Sequence, residues 1–408
     1  MPRRVAITGF GLLTPIGNGP EAVEASLRAR RSGIRRVVEW EQVADLRPRV
    51  AGMVDAGDPK SIPRAVRRGM GMVAQYAALA TQAAVSHAGI GAEELRSGRV
   101  GLALGSTTGS PLAIGEFYKT VDTVGVRGLR STDFLKCMSH TCAANVAVML
   151  GMTGRVMAPA SACTSSAQAI GLAFELISSG LEDAMLAGGA EEVHYTTAAT
   201  FDIVSAASHG YNDTPARTPR PFDARRDGLV VAEGAGVLVL EEWERAVRRG
   251  ATIHGEVLGF ATTCDGEHMA QPAPNGMHGC MARALESARL KPRDVDYVNA
   301  HATGTDVGDP AEAEATRRLF GAAVPVSSSK GYTGHTLGAC GAIESIFCLL
   351  MMKGGFLAPT LNLEEVDPAC AGLQHVTEVT AARPRRVMNN NFAFGGINTS
   401  LVFAGGAA

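Results

Sequence analysis

The stretch Met157–Gly180, MAPASACTSSAQAIGLAFELISSG, decides the fold. It reads as a short strand, a tight turn of small residues and an amphipathic helix. Cys163 sits at the turn, with Ala160, Ser161 and Ala162 before it and Thr164, Ser165, Ser166 and Ala167 after it. Nothing bulky crowds the sulfur, and backbone N–H groups converge there. A thiol at a helix N-terminus feels the positive end of the macrodipole, so its pKa is expected below the free value of about 8.5. A lone cysteine in an apolar helix is ordinarily a structural residue. The small polar flanks, and two histidine stretches downstream, argue here for a nucleophile.

Outward from that turn, the chain repeats an order of elements. In the first half, RRVAITGFGLLTPIGNG is a strand followed by a glycine-punctuated loop, and EAVEASLRARRSG is a helix. The glycines at Gly9, Gly11 and Gly17 do not make G-x-G-x-x-G, which argues against dinucleotide binding. Arg64 to Ile90 reads as one long helix, with Arg64, Arg67 and Arg68 in a first turn where cations oppose the dipole. RVGLALGSTTGSP is a strand with a small-residue loop, and Arg127 and Arg130 form a second basic point. In the second half, ATIHGEVLGFATTCDG resembles the opening strand, DVDYVNAHATGTDVGDP parallels RVGLALGSTTGSP, and VPVSSSKGYTGHTLGACGAIESIFCLLMMKGG parallels the Cys163 unit. Such long-period similarity predicts two halves of one architecture, 1–250 carrying the cysteine and 251–408 carrying the histidines. Their two reactive turns then meet at a pseudo-twofold axis.

The totals narrow the function. A chain of 408 residues with 46% hydrophobic and 19% charged residues and 48 glycines fits a globular α/β protein with many tight turns. Net charge is −2, so no global field recruits nucleic acid or a membrane, and an acidic partner must meet a local basic patch. The opening MPRRVAITGFG reaches glycine too soon for a signal-peptide core, and no stretch reads as long and apolar enough to span a bilayer. A cytoplasmic location is expected. The eight cysteines are scattered and contain no C-x-x-C pair, which argues against a disulfide framework and against zinc.

Four places carry chemistry: Cys163, His301 in NAHATGTDVGDP, Lys330 with His335 in SSKGYTGHTLGACGAIE, and the loop NFAFGG. A thiolate suits acyl transfer, because it attacks a thioester and leaves from one at almost no net cost. One histidine suffices for a hydrolase. Two that donate to a single carbonyl oxygen can hold an enolate, which forms when a malonyl group loses carbon dioxide. The pair points to carbon–carbon bond formation. Lys330 supplies a fixed positive charge, and Glu344 on the following helix is placed to anchor it.

These motifs resemble those of the elongating β-ketoacyl-acyl-carrier-protein synthases of the thiolase superfamily. The likeness covers nearly the whole chain, through VAITGFGLLTPIG, SACTSSAQAIG, AGGAEE, YNDTP with RPFDARRDGLVVAEGAG, VNAHATGTDVGD, SSSKGYTGHTLGACGAIES and NNNFAFGGINTSLVF. It implies a thiolase-like fold of two pseudo-symmetric halves in five α-β-α-β-α layers. It also implies a Cys163, His301 and His335 triad with Lys330, and an oxyanion hole from the backbone N–H groups of Cys163 and Phe394, with Phe394 as gate. Thr303 and Thr305 would bind the phosphopantetheine arm, and Thr107 and Thr108 would lie near the floor of the acyl pocket. A structural monovalent cation is implied at Asn299, Glu312, Glu344, Asn389 and Asn390. Arg64, Arg68, Arg127 and Arg130 fall where the family docks its acidic acyl carrier protein. No cofactor is implied beyond the arm of that carrier. The partner is a second copy, or a chain-length subunit that lacks the cysteine, as in aromatic and polyene polyketide pathways.

The chain departs from the family pattern at Ala393, where the gating loop usually has glycine, at Ile397 before Asn398, and at Ala270 after His268-Met269. The departures at Ala393 and Ala270 lean towards specialised metabolism. The alternatives are a polyketide ketosynthase, a non-catalytic partner subunit, disfavoured by the retained Cys163, both histidines and Lys330, and a thiolase, which would need a second catalytic cysteine in place of one histidine.

Overall fold

The computed structural model describes residues 2–406, so Met1 and Ala407–Ala408, at the ends of the two expected halves, lie outside it. Strand β1 (Val5–Thr14) is buried along its whole length and passes straight through Gly9 and Gly11. The glycine-punctuated loop expected there is instead strand. A Cβ on Gly11 would come within 2.2 Å of the Ala80 carbonyl oxygen, and one on Gly9 within 2.6 Å of the Ala88 nitrogen. The glycines are there because helix α2 (Met72–Ala88) lies directly on the strand. Helix α1 (Pro20–Arg28) comes between them.

The single helix expected from Arg64 to Ile90 is broken. Arg64–Arg67 makes one turn, and α2 begins only at Met72. Between them Met70 turns inward, flanked by Gly69 and Gly71, whose poor helix propensity makes the break cheap.

The first half continues with β2 (Val100–Gly105), α3 (Pro111–Val124), α4 (Thr141–Leu150), β3 (Val156–Met157), α5 (Ser165–Ser178), β4 (Ala184–Glu191) and β5 (Gly234–Glu242). The second comprises β6 (Gly255–Cys264), α6 (Pro274–Ala288), β7 (Tyr297–Asn299), α7 (Gly308–Phe320), β8 (Pro325–Ser327), α8 (Cys340–Gly354), β9 (Arg386–Ala393) and β10 (Ile397–Gly405). The strands of the first half lie in the order β1-β5-β4-β2-β3, and those of the second in the order β6-β10-β9-β7-β8. Each order is the other shifted by five. In both, the first two pairings are antiparallel and the last two parallel. β1 meets β6 antiparallel at Val5↔Val257, Ala6↔Glu256 and Ile7↔Gly255, which joins the halves into one sheet, brought to 12 strands by the two-residue pieces Gly17–Asn18 beside β1 and Gln374–His375 beside β8.

Alternation along the strands sets the layers. Leu186, Val237 and Val239 pack with α2, whereas Met185, Ala187, Leu238 and Leu240 face α5 and α8. In the second half Val298, Met388 and Val402 pack with α6 and α7, whereas Tyr297, Val387, Leu401 and Phe403 face the same central pair. Helices therefore cover both outer faces and fill the middle, giving five layers. In the middle layer a Cβ on Gly341 would come within 2.7 Å of Ala167, so the starts of α5 and α8 touch. The stretch Leu337–Gly354 does have the length and mean hydropathy, 1.5, of a membrane span, contrary to the sequence reading. It is 83% buried within the fold and serves as the central core helix.

Candidate active site

The central helices converge on Cys163. The turn before α5 is knotted by its own small residues: the Ser161 N–H donates to Ser165 Oγ at 2.9 Å and the Ser165 N–H to the Ala162 carbonyl at 3.1 Å. Ala162 takes a left-handed backbone, φ 50°, which costs a non-glycine residue about 1–2 kcal/mol. That conformation turns the chain sharply just before the nucleophile, a common use of local strain.

Cys163 precedes the first residue of the helix by two positions and is 4% exposed. Burial pushes its thiol up to about 12, although the Lys330 charge and a backbone hydrogen bond pull the other way. The expectation of a depressed pKa is therefore wrong for the resting protein, because desolvation of a buried thiolate outweighs the helix terminus. Deprotonation must be coupled to a base.

That base is at hand. His335 Nε2 lies 2.9 Å from Cys163 Sγ. The histidine backbone is clamped by the segment beside it, with its N–H donating to the Val230 carbonyl at 2.7 Å and the Ala232 N–H donating to its carbonyl at 2.9 Å. His301 stands edge-on to His335, ring centroids 5.1 Å apart. The sulfur and one nitrogen of each ring lie within 4.8 Å of one another. Glu312 fixes His301 from behind, accepting the His301 and Ala302 N–H groups at 2.8 and 2.6 Å. Burial pushes that carboxyl up to about 8. Burial, and then the Lys330 charge, hold both imidazoles well below their ordinary pKa, so the rings are neutral. Lys330 pairs with Glu344 at 2.5 Å, as the sequence suggested; burial works against its charge, but Glu344 and its neighbours more than offset this and raise its pKa.

A cavity of about 250 Å³ leads from solvent to this cluster, with Thr303, Thr305, Met269, Ala270, Val204 and Phe394 among its walls. The hydroxyls of Thr303 and Thr305 are 3.2 Å apart. The Phe394 ring is 38% exposed and leans on Phe201 at 5.8 Å between centroids. The next residue is tied back, the Gly395 N–H donating to the Met269 carbonyl at 2.8 Å.

Other expected residues fall elsewhere. Thr107 and Thr108 do not line this cavity; their N–H groups donate to Glu191 at 2.7 and 3.2 Å, behind the turn that carries Gly338. Arg64, Arg68, Arg127 and Arg130 are exposed and stand outside it. Of the five cation candidates, Asn299 has a buried Oδ1 without a partner. The side-chain oxygens of Asn389 and Asn390 already accept from Asn299 and Ser400, and Glu344 is taken by Lys330. Asn299 Oδ1 is thus the unpartnered oxygen of the set among the described residues, while those of Asn389, Asn390, Glu312 and Glu344 accept hydrogen bonds and keep further lone pairs.

Sequence reasoning missed the residues that hold the loops. Asp309 Oδ1 accepts the N–H groups of Thr303, Gly304 and Thr305 at 3.0–3.3 Å, and its other oxygen takes the Phe222 N–H. Arg226 donates to the Thr305 and Asp306 carbonyls, both at 3.1 Å, and pairs with Asp367. An acid in the first turn of the helix after H-x-T-x-T was a readable signal for Asp309. Nothing local marks Arg226.

Two copies of one five-stranded unit, closed around a cysteine and two neutral histidines, define a thiolase-fold acyl-transferring enzyme. Residues 2–246 match the β-ketoacyl synthase N-terminal domain and residues 254–364 its C-terminal domain. The chain is 40% identical over 406 residues to 3-oxoacyl-[acyl-carrier-protein] synthase 1 of Haemophilus influenzae, covering 98% of each. A crystal structure of a β-ketoacyl synthase from Burkholderia phymatum is 47% identical, with TM-score 0.96, over 99% of this chain and 100% of that one. The ishigamide ketosynthase/chain length factor is 31% identical, with TM-score 0.93, over the full length of both. The chain belongs to the β-ketoacyl synthase family.

Proposed function

We propose that this acyltransferase joins a Cys163-bound acyl chain to malonyl-acyl carrier protein, with loss of carbon dioxide, to give a β-ketoacyl-acyl carrier protein in fatty-acid-type elongation. The observation that carries the reading is the cluster of Cys163, His335 and His301 at the base of a threonine-lined cavity.

In the first stage His335 Nε2 takes the thiol proton as the sulfur attacks the incoming thioester. The same proton then goes to the departing pantetheine thiolate. The oxyanion is held by the backbone N–H groups of Cys163 and Phe394. In the second stage Cys163 is a thioester and no longer donates to His335. Nδ1 of both His301 and His335 is buried without a partner among the described residues, so nothing pins either ring to one tautomer. Both rings are then free to present Nε2–H to the malonyl thioester oxygen. Decarboxylation gives the enolate, whose carbon attacks the Cys163 thioester, and the sulfur leaves as thiolate, which then takes up a proton from solvent. Burial and then the Lys330 charge favour the neutral imidazoles, each of which donates from Nε2 in the tautomer that carries its proton there. Thr303 and Thr305 hold the arm, Arg64, Arg68, Arg127 and Arg130 meet the acidic carrier, and no redox cofactor or metal takes part. This chemistry belongs in the cytoplasm.

A partner subunit is part of the proposal. Helix α3 buries none of its residues, and Tyr118, Val124, Val126 and Phe134 are each more than half exposed. Such an apolar face calls for a partner chain. A second copy is the simplest, and similarity to a ketosynthase/chain length factor pair favours, as second reading, a Cys-lacking partner and a polyketide substrate.

The test is intact-protein mass spectrometry of the chain alone with acyl-carrier and malonyl-carrier proteins, with Cys163→Ala as control. Acylation at Cys163 followed by two-carbon extension supports the elongation reading. Acylation that never extends until another subunit is added favours the second.

A further inference from the structure

The residue that follows the ring against which Phe394 rests is held by an arginine from a distant part of the chain. Phe201 lies near the C-terminus of the helix Tyr195–Asp202, and Val204, Ser205 and Ala206 just after it form part of the cavity wall. Phe201 is 8% exposed and sits in a buried cluster with Trp40, Leu229 and Leu337. The residues just after the helix are not so held: Ile203 is 82% exposed, Val204 is 51% exposed, and Ser205 takes a left-handed backbone, φ 53°. Hydrogen bonds hold that segment. The Ala206 N–H donates to the Phe201 carbonyl at 2.9 Å and the Ser205 N–H to the Asp202 carbonyl at 3.0 Å. Arg47 closes the set from outside: its N–H donates to Asp202 Oδ2 at 2.9 Å, its Nε to Oδ1 at 2.6 Å and its Nη2 to the Asp202 carbonyl at 2.6 Å. Asp202 is 7% exposed. The Arg47 carbonyl in turn accepts from Asn212 at 3.0 Å, which anchors the arginine.

We propose that Arg47 and Asp202 are positioning residues for the gate: their fork fixes the Phe201–Ala206 wall on which Phe394 closes over Cys163. Neither touches substrate. The fork takes the carboxylate and the carbonyl of one residue, so it sets both the charge and the direction of the helix end, which a lysine's single point of charge cannot do. The proposal rests on the acyl-transfer reading for its consequence, but its geometry stands apart from it.

The experiment compares wild type, Arg47→Ala and Arg47→Lys by melting temperature, by labelling of Cys163 with iodoacetamide and with a bulky fluorescent maleimide, and by single-turnover and steady-state acyl transfer from an acyl-carrier protein. Loss of the fork lets the wall swing away from Phe394. Arg47→Ala is then expected to label about tenfold faster with the bulky reagent and within about twofold of wild type with iodoacetamide, while acyl transfer falls about tenfold through misplacement. Arg47→Lys, still folded and still charged, should lie between. Bulky labelling within about twofold of wild type in both variants overturns the proposal, as does a rise in KM for the carrier with kcat unchanged, which would make Arg47 a docking residue. If labelling responds as expected but wild type shows no acyl transfer, the positioning role stands and the proposed reaction falls.

Discussion

Lys330 Nζ lies 2.5 Å from Glu344 Oε1, and the two side chains are 0% and 3% exposed. The pair links the turn before His335 to α8, and Asn391 Nδ2 donates to the other oxygen of the same carboxylate at 2.8 Å. Breaking such a pair leaves one buried charge uncompensated, a cost of about 3–5 kcal/mol, whereas replacing both partners by apolar residues costs far less. Lys330→Met should therefore lose several kcal/mol in urea denaturation, and Lys330→Met combined with Glu344→Leu should regain most of it while remaining without condensing activity. If Lys330→Met alone is as stable as wild type, the ion pair is not what holds the turn.

Titration of Cys163 separates burial from the helix terminus. A thiol pushed up to about 12 is neutral at every ordinary pH, and each pH unit below that value cuts the thiolate tenfold. Iodoacetamide alkylation of Cys163, followed by mass, should climb steadily from pH 7 to pH 10 with no plateau. A plateau near pH 7 would mean that the helix terminus and Lys330 dominate after all.

His254 couples acid to stability. Its ring stacks on His87 at 4.4 Å between centroids, and its Nε2 is buried without a partner. Burial, then His87, then Lys353 lower its pKa from 6.5 to about 4. The folded value lies below the unfolded one, so the fold favours the neutral ring. Its contribution is complete above pH 6.5, declines as pH falls below that, and levels off below about 4. Denaturation midpoints at pH 7.5, 5.5 and 4.5 should fall less steeply for His254→Phe than for wild type. Parallel profiles would show that the site does not sense protons.

What could be read in advance follows from how far apart the cooperating residues lie in the chain. The Cys163 turn, the His335 turn and the Lys330–Glu344 pair are local arrangements of small residues and charges, and the repeated order of elements around the two turns foretold two matching runs of strands. Burial is not local. The sequence shows Cys163 at a helix start, but not that α8 and the rest of the second half close over it and reverse its pKa shift. Nor does it show Arg47 reaching Asp202, 155 positions on within the same half, or Arg226 reaching the Thr305 loop of the other half, since such pairs exist only in the folded chain. Gly9 and Gly11 misled for the same reason: they look like loop glycines until α2 is laid across them.

The gating loop holds the last test. Ala393 ends β9 and pairs with Ile397 of β10, so the loop Phe394–Gly396 is a tight connection between two strands. Gly395 and Gly396 both have positive φ, 85° and 72°, and supply its freedom. The alanine in place of a third glycine narrows the backbone freedom at the start of the loop. Ala→Gly within a regular element costs about 0.5–1 kcal/mol through added backbone freedom. Through the same freedom Ala393→Gly should open the loop about two- to fivefold more often, since 1.4 kcal/mol is tenfold in an equilibrium. The variant should label faster at Cys163 with a bulky maleimide and turn over faster where loop opening limits the rate. Unchanged labelling with an unchanged melting temperature would show that residue 393 is not part of the hinge.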